Sequence, residues 1–76
     1  MFDKSTSLSE KQRRVLRAIA EYTEAHGFSP SVRDVQAACG FQSTSTATYY
    51  LNSLAALGLI KRVPNRGRTI RIVEKP

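Results

Sequence analysis

Residues 41–57 read FQSTSTATYYLNSLAAL, an uncharged, hydroxyl-rich start that continues into an apolar stripe of helical period. The apolar side chains recur at the i, i+3, i+4, i+7 spacing of a buried helix face, and they are Ala47, Tyr50, Leu51, Leu54 and Leu57. The opposite side carries Ser45, Thr46, Thr48, Tyr49 and Asn52. Solvated helix faces more often carry Glu, Lys and Arg, because Ser and Thr are poorer helix formers. Two interpretations follow: a face that meets base edges in a DNA major groove, or a capped helix start with a tolerated polar face.

A first helix is predicted over about 9–26, where Ser9 and Gln12 form an S-x-x-Q capping box. The same kind of box occurs two residues earlier, at Ser7, so the start has two alternatives. The apolar face of this helix consists of Val15, Leu16, Ile19 and Tyr22. Gly27 supplies the left-handed residue that ends such a helix.

A second, shorter helix is predicted over about 32–39, with Ser31 as its cap and Asp34 at its third position. Its buried side chains are expected to be Val32, Val35 and Ala38, with Cys39. Gly40 ends it, and a third helix over about 44–57 follows after a short turn. Two helices joined through a short turn with Gly, the second starting with small polar side chains, indicate a helix-turn-helix.

After Gly58 the apolar period changes from 3.6 to 2, which predicts strands at about 60–63 and 69–73. Asn65 and Gly67 lie between them and suit left-handed turn conformations. The predicted fold class is therefore mainly α with a small antiparallel β-hairpin, a three-helix winged helix-turn-helix. The predicted organisation is a flexible leader at 1–7 and a single domain at 8–76.

The charges are distributed unevenly along the chain, whose formal net charge is +6. No carboxylate occurs from Val35 to Val73. The same stretch holds Lys61, Arg62, Arg66, Arg68 and Arg71. One positive surface beside a more neutral one is the electrostatic pattern of a polyanion binder.

Several other classes of function find little support in the composition. Cys39 is the only cysteine and His26 the only histidine, which excludes a disulfide framework and leaves too few ligands for a zinc site. No carboxylate pair or nucleophile–base arrangement points to catalysis, and no cofactor is predicted. No apolar run approaches the ~20 residues that span a bilayer, and the N-terminus does not read as a signal peptide. A cytoplasmic, nucleoid-associated protein of a reducing interior is expected.

Four segments in order resemble the N-terminal DNA-binding domain of the LexA repressors, over about Leu8 to Val73. They are LSEKQRRVLRAI, GFSPSVRDV, GFQSTSTATYYLNSLAALGLIKR and PNRGRTIRI. The serine–threonine form of the third helix is most similar to versions from actinobacteria and other Gram-positive bacteria. The resemblance implies a repressor that is a homodimer on double-stranded DNA, with weak or no dimerisation alone, and that reads a palindromic operator of DNA-damage (SOS) genes.

The resemblance also implies roles for individual residues. Base-reading positions of the family's third helix fall on Ser43, Ser45, Thr46, Thr48 and Tyr49. Positions that approach phosphates fall on Lys11, Gln12, Ser31 and Arg33, and the wing position that reaches the minor groove falls on Arg68. The predicted phosphate and minor-groove set also contains Asn52, Arg62 and Arg66. Tyr49 departs from the smaller or acidic residues common at its position.

Two alternatives stay open. LexA repressors continue into a self-cleaving peptidase domain that 76 residues do not accommodate. The chain is interpreted as either an isolated DNA-binding domain or a stand-alone relative, and the first is favoured because it ends three residues after the second strand. A winged helix can also serve as a protein-interaction module, because fold does not fix function.

Overall fold

The structure, a computed structural model, describes residues 8–63 and 66–73. Its elements in chain order are α1 (Glu10–His26), α2 (Val32–Cys39), α3 (Thr44–Ala56), β1 (Ile60–Lys61) and β2 (Arg71–Ile72). The two strands are antiparallel, with Ile60 opposite Ile72 and Lys61 opposite Arg71. The predicted fold class is confirmed. The predicted leader at 1–7 and the predicted turn residue Asn65 lie outside the described residues.

Local side-chain hydrogen bonds set the start of α1 and of α2. Ser9 Oγ accepts the Gln12 N–H at 3.1 Å, and Gln12 Oε1 accepts the Ser9 N–H at 2.8 Å. Ser31 and Asp34 exchange the same pair of bonds at 3.1 and 3.0 Å. Each box satisfies two backbone donors that the helix itself leaves without a partner. The predicted box at Ser9 is present and α1 begins after it, the alternative at Ser7 lies outside the described residues, and the predicted cap at Ser31 is a full capping box with Asp34.

Glycine ends α1 and α2 because of backbone conformation. Gly27 has φ 81° and Gly40 has φ 72°, both in the left-handed region that L side chains rarely adopt. A Cβ added at either position would meet no atom within 4 Å. Space is therefore available, and the positive φ alone selects glycine at both helix ends.

One core joins the three helices to the hairpin. Its buried members are Leu8, Val15, Ile19, Val35, Cys39, Ala47, Leu51, Leu54, Ile60 and Ile70. Four side chains predicted on apolar helix faces are half-buried: Leu16, Val32 and Tyr50 pack against the edge of this core, and Tyr22 contacts the His26 and Phe28 rings instead. Cys39 acts as a small buried hydrophobe, as predicted, and burial raises the pKa of its thiol.

Two predictions about the core are wrong. Leu57 is 49% exposed because α3 ends at Ala56, so that Leu57 is the cap residue beyond the last helical position. Ala38 is exposed, because Cys39, one helical turn after the buried Val35, takes the core position at the end of α2.

The hairpin departs from its predicted form in strand length and in its turn. Each strand has two residues, which is shorter than predicted, because the Val63 N–H bonds to the Thr69 side-chain oxygen at 2.9 Å instead of to a strand. The Thr69 hydroxyl also lies 3.2 Å from the Arg66 carbonyl and so closes the turn. Among the described residues of the turn, the left-handed conformation falls on Arg68, with φ 59°, and not on Gly67 as predicted.

Candidate nucleic-acid interface

The polar face of α3 points to solvent. Ala47, Leu51 and Leu54 are fully buried and fix the opposite side of the helix against the core. Ser45, Tyr49 and Asn52 follow at helical spacing on the outer side, where all three are exposed. Tyr49 is 66% exposed, the largest exposed fraction among the big apolar side chains described. The face is an uncharged row of hydroxyl, phenol and amide groups.

Two of the predicted base-reading residues also form the N-terminal cap of α3. Ser43 Oγ accepts the Thr46 N–H at 3.4 Å and lies 3.4 Å from Thr46 Oγ1. Thr48 is half-buried beside the exposed row, and Ser45 is exposed in the first turn. The first turn contains no acidic residue, so the N-terminal end of α3 keeps its partial positive charge.

Aromatic contacts fix the orientation of Tyr49. Its ring meets the Tyr50 ring edge-on at 5.1 Å between centroids, and Tyr50 stacks on Phe41 at 5.4 Å. Phe41 follows the turn glycine Gly40, so the turn between α2 and α3 supports the exposed phenol through two ring contacts. Such pairs favour these offset and edge-on geometries.

The hairpin formed by β1, β2 and the turn between them, here called the wing, is tied to α3 through an arginine. Arg62 Nη1 donates to Asn52 Oδ1 at 3.2 Å. Both residues belong to the predicted phosphate and minor-groove set, and the structure brings them together. The bond places a cation beside the C-terminal half of the polar face.

The wing is also tied to the corner between α1 and α2, through Arg68. Its Nη1 lies 3.2 Å from three acceptors, namely Tyr22 Oη, the Ser29 carbonyl and Asp34 Oδ2. The guanidinium carbon lies 4.8 Å from the centre of the Phe28 ring, a cation–π geometry. These contacts hold Arg68 in its left-handed conformation, which is uncommon outside glycine.

The charges at this corner reinforce each other. The Ser31 backbone N–H is the largest cause that lowers the pKa of the Asp34 carboxyl, and the Arg68 charge lowers it further. The Tyr22 hydroxyl is the largest cause that raises the pKa of Arg68, and the Asp34 charge also contributes. Hydrogen bonds and an opposite charge stabilise the ionised form of each group.

The remaining predicted phosphate residues divide into two groups. Lys11, Arg33 and Arg66 are exposed, and their side chains make no hydrogen bond or ion pair with a described residue. Gln12 and Ser31 serve in the helix caps, and Gln12 Nε2 also donates to Ser53 Oγ at 2.5 Å, which joins α1 to α3. The five residues therefore have two different roles: three are cations without a partner among the described residues, and two are cap residues.

Sequence reasoning missed the parts played by Thr69, Tyr22 and Asp34 in holding the wing. The Thr69 and Tyr22 hydroxyls carry no local signal, because their partners are distant in sequence or are backbone atoms of a turn. Asp34 was found as a cap residue only. Within the described part of the chain, no helix has the length and apolarity needed to cross a bilayer.

Comparison with known proteins decides the family. The family model described as the LexA DNA binding domain matches residues 5–69, most of the chain. The chain belongs to the LexA DNA-binding domain family. The resemblance noted in the sequence is thereby confirmed, and the winged helix-turn-helix above is this chain's version of that domain.

Curated relatives of this LexA-type domain are LexA repressors. The chain is 39% identical over 70 residues to the LexA repressor of Corynebacterium efficiens, which covers 92% of this chain and 30% of the relative. It is 39% identical over 66 residues to the LexA repressor of Acetivibrio thermocellus, and this match covers 87% of the chain and 31% of the relative. It is 41% identical over 68 residues to the LexA repressor of Roseiflexus sp., and this match covers 90% of the chain and 31% of the relative. The chain thus spans about a third of the length of these relatives.

Proposed function

We propose that this domain binds double-stranded DNA sequence-specifically, as the operator-reading domain of a LexA-like transcriptional repressor of DNA-damage (SOS) genes. The observation that carries the proposal is the exposed, uncharged face of α3, backed by fully buried Ala47, Leu51 and Leu54. Family membership and the LexA repressors among the relatives support it. The role is one of binding, without catalysis or a cofactor.

Base reading is assigned to the outer and N-terminal side of α3. The residues proposed to contact base edges are Ser43, Ser45, Thr46, Thr48 and Tyr49. A hydroxyl both donates and accepts, so each one discriminates bases weakly, whereas a Thr methyl against a thymine methyl adds shape selectivity. Affinity for the correct sequence then depends on two half-sites, spaced by about a helical turn or a multiple of it.

Phosphate and minor-groove contacts are assigned to Lys11, Gln12, Ser31, Arg33, Asn52, Arg62, Arg66 and Arg68. Lys11, Arg33 and Arg66 offer charges with no internal partner among the described residues. Ser31 Oγ accepts a backbone N–H in its cap, and its hydroxyl would donate to a phosphate oxygen in exchange for its side-chain hydrogen bond to Asp34. Arg68 reaches DNA in this proposal by exchanging Asp34 for a phosphate oxygen. These contacts release counterions and set the register on the duplex.

The proposed partners are a palindromic duplex and a second copy of the protein. The two copies bind the duplex as a homodimer, in the cytoplasm. A lone domain of this size has few contacts, so pairing on the two half-sites supplies much of the affinity. The test is selection of bound duplexes from a random pool. A recovered palindrome supports the proposal, and scrambling one half-site should then abolish most of the binding.

The competing function, a protein-interaction module, predicts a different result from the same experiment. Such a module would enrich no sequence from the pool and would bind no duplex even at low salt. Enrichment of a single unpaired half-site would instead contradict the homodimer while leaving DNA reading intact.

A further inference from the structure

A groove of about 610 Å³ lies between the wing, α3 and the corner of α1 and α2. Its apolar floor includes Ala55 and the buried Ile60, and its cationic lining is formed by Lys61, Arg62, Arg68 and Arg71. Two of these cations, Lys61 and Arg71, do not belong to the predicted DNA-contacting set. The groove is open to solvent.

Lys61 and Arg71 lie directly opposite each other in the hairpin. Like charges at directly opposed positions of an antiparallel pair are destabilising, since their Cβ atoms are only about 4.5–5.5 Å apart. Both side chains are exposed, and neither forms an ion pair with a described residue. No carboxylate occurs in the sequence between Val35 and Val73, and Glu24 of α1, which lines a neighbouring cavity with Arg71, forms no ion pair with it. The pair therefore carries an electrostatic cost that a bound anion would remove.

The groove continues from the base-reading face. Arg62, in its lining, bonds to Asn52 on that face, and Ala55 follows Asn52 by one helical turn of α3. At the other end of the groove Arg68 is already neutralised by Asp34, at 3.2 Å. Among the described residues, Lys61, Arg62 and Arg71 have no anionic partner, so the unpaired charge of the groove lies between α3 and the turn of the wing.

We propose that this groove seats the sugar–phosphate backbone, with Lys61 and Arg71 each contacting a phosphate. When one element lies in the major groove and an adjacent one in the minor groove, the strand that separates the two grooves has to pass between them. The groove lies between α3 and the wing, where that strand would run. The inference rests on the proposed function, and it adds two contact residues to it.

The first test compares Lys61→Gln, Arg71→Gln and the matched control Arg17→Gln in salt titrations against a duplex obtained by selection. Arg17 is an exposed cation on the side of α1 turned away from its buried residues, which makes it a site outside the groove. Its replacement by Gln removes one positive charge, as each groove substitution does. Each groove variant should reduce the slope of log affinity against log salt by about one unit, on selected and scrambled duplexes alike. The control should leave the slope nearly unchanged. Circular dichroism melts establish that all variants are folded.

A second test locates the contact on the DNA. Duplexes with a single neutral methylphosphonate, moved one position at a time, should bind wild-type protein more weakly where Lys61 meets a phosphate. On the duplex modified at that position, Lys61→Gln should bind no more weakly than wild-type protein, because the contact is already removed. A second, different position should give the same result for Arg71→Gln.

The outcomes separate the two claims. If wild-type protein prefers its selected duplex but both groove variants keep the wild-type slope and methylphosphonate pattern, the groove does not seat the backbone and the proposed function stands. If wild-type protein binds no duplex, both claims are wrong. A third outcome would also contradict the inference. If millimolar inorganic phosphate competed with DNA for wild-type protein but not for Lys61→Gln, and the salt slope of Lys61→Gln on DNA were unchanged, the groove would be a small-anion site.

Discussion

Nη1 of Arg68 lies 3.2 Å from Oδ2 of Asp34, a residue 34 positions earlier in the chain. The same carboxylate oxygen accepts the Ser31 N–H at 3.0 Å in the capping box of α2. One atom therefore both starts a helix of the helix-turn-helix and holds the wing against it. The stability of α2 and the position of the wing depend on the same ionised group.

Asp34→Asn should lower the free energy of unfolding at neutral pH by about 1 kcal/mol, the size of one hydrogen bond to a partly exposed charged group. The pKa of Asp34 in the folded protein is below its ordinary value of 3.8, so its contribution is present above pH 3.8 and is lost as pH falls through the folded value. The difference between variant and wild type should therefore shrink below about pH 4. Urea unfolding from pH 7 to pH 3 measures it, with Glu21→Gln on the exposed face of α1 as the control. A difference that stays constant over this range would contradict the role of the ionised carboxylate.

Asp34→Asn should also bind DNA several-fold more tightly, because Arg68 then has no ion pair to leave before it contacts a phosphate. A general loss of negative charge would raise affinity too, so the double variant with Arg68→Gln is needed. The gain in affinity should largely vanish in the Arg68→Gln background. Fluorescence anisotropy titrations measure it, at one salt concentration and at a temperature well below the melting temperature of every variant. An equal gain in both backgrounds would show that Arg68 does not exchange partners.

Two leucines three residues apart should differ sharply in their effect on stability. Leu54 is fully buried and Leu57 is 49% exposed. Leu54→Ala should cost about 2–5 kcal/mol, the range for buried leucines, whereas Leu57→Ala should cost well under 1 kcal/mol. Thermal melts of the two variants provide the measurement. Similar losses would place Leu57 in the core and the end of α3 later than Ala56.

Base contacts and phosphate contacts should respond differently to substitution. Ser45→Ala should reduce the preference for the selected duplex over a scrambled one while leaving the salt slope nearly unchanged. Arg66→Gln should weaken binding to both duplexes alike and reduce the slope by about one unit. Salt titrations of the two variants on both duplexes test this division. If Ser45→Ala and Arg66→Gln gave the same pattern, the assignment of roles would be wrong.

The sequence predicted what depends on neighbouring residues. The capping boxes at Ser9 and Ser31 join residues three apart, so their pattern is visible in the chain, and the buried face of α3 follows from its period. Leu57 fits the same period but lies beyond the last helical residue, and periodicity alone does not locate a helix end.

The candidate site was predicted less completely, because its geometry depends on distant residues. The pairing of Arg68 with Tyr22 and Asp34 joins the wing to two helices across 46 and 34 positions. No local pattern encodes such contacts, and the left-handed φ at Arg68 follows from them rather than from its residue type. The sequence shows Lys61 only as part of a basic segment, because its position opposite Arg71 depends on the strand register.

The central claim, that the polar face of α3 reads the sequence of duplex DNA, is tested most directly by one comparison of affinities. A duplex recovered from a random pool and its scrambled form, equal in length and composition, are titrated with wild-type protein across a series of salt concentrations. Specific interfaces bind their site far more tightly than non-specific DNA, while the phosphate contribution is largely shared. The expected result is a clear preference for the recovered duplex at every salt concentration. Equal affinity for the two duplexes, or no binding to either at low salt, would contradict the account.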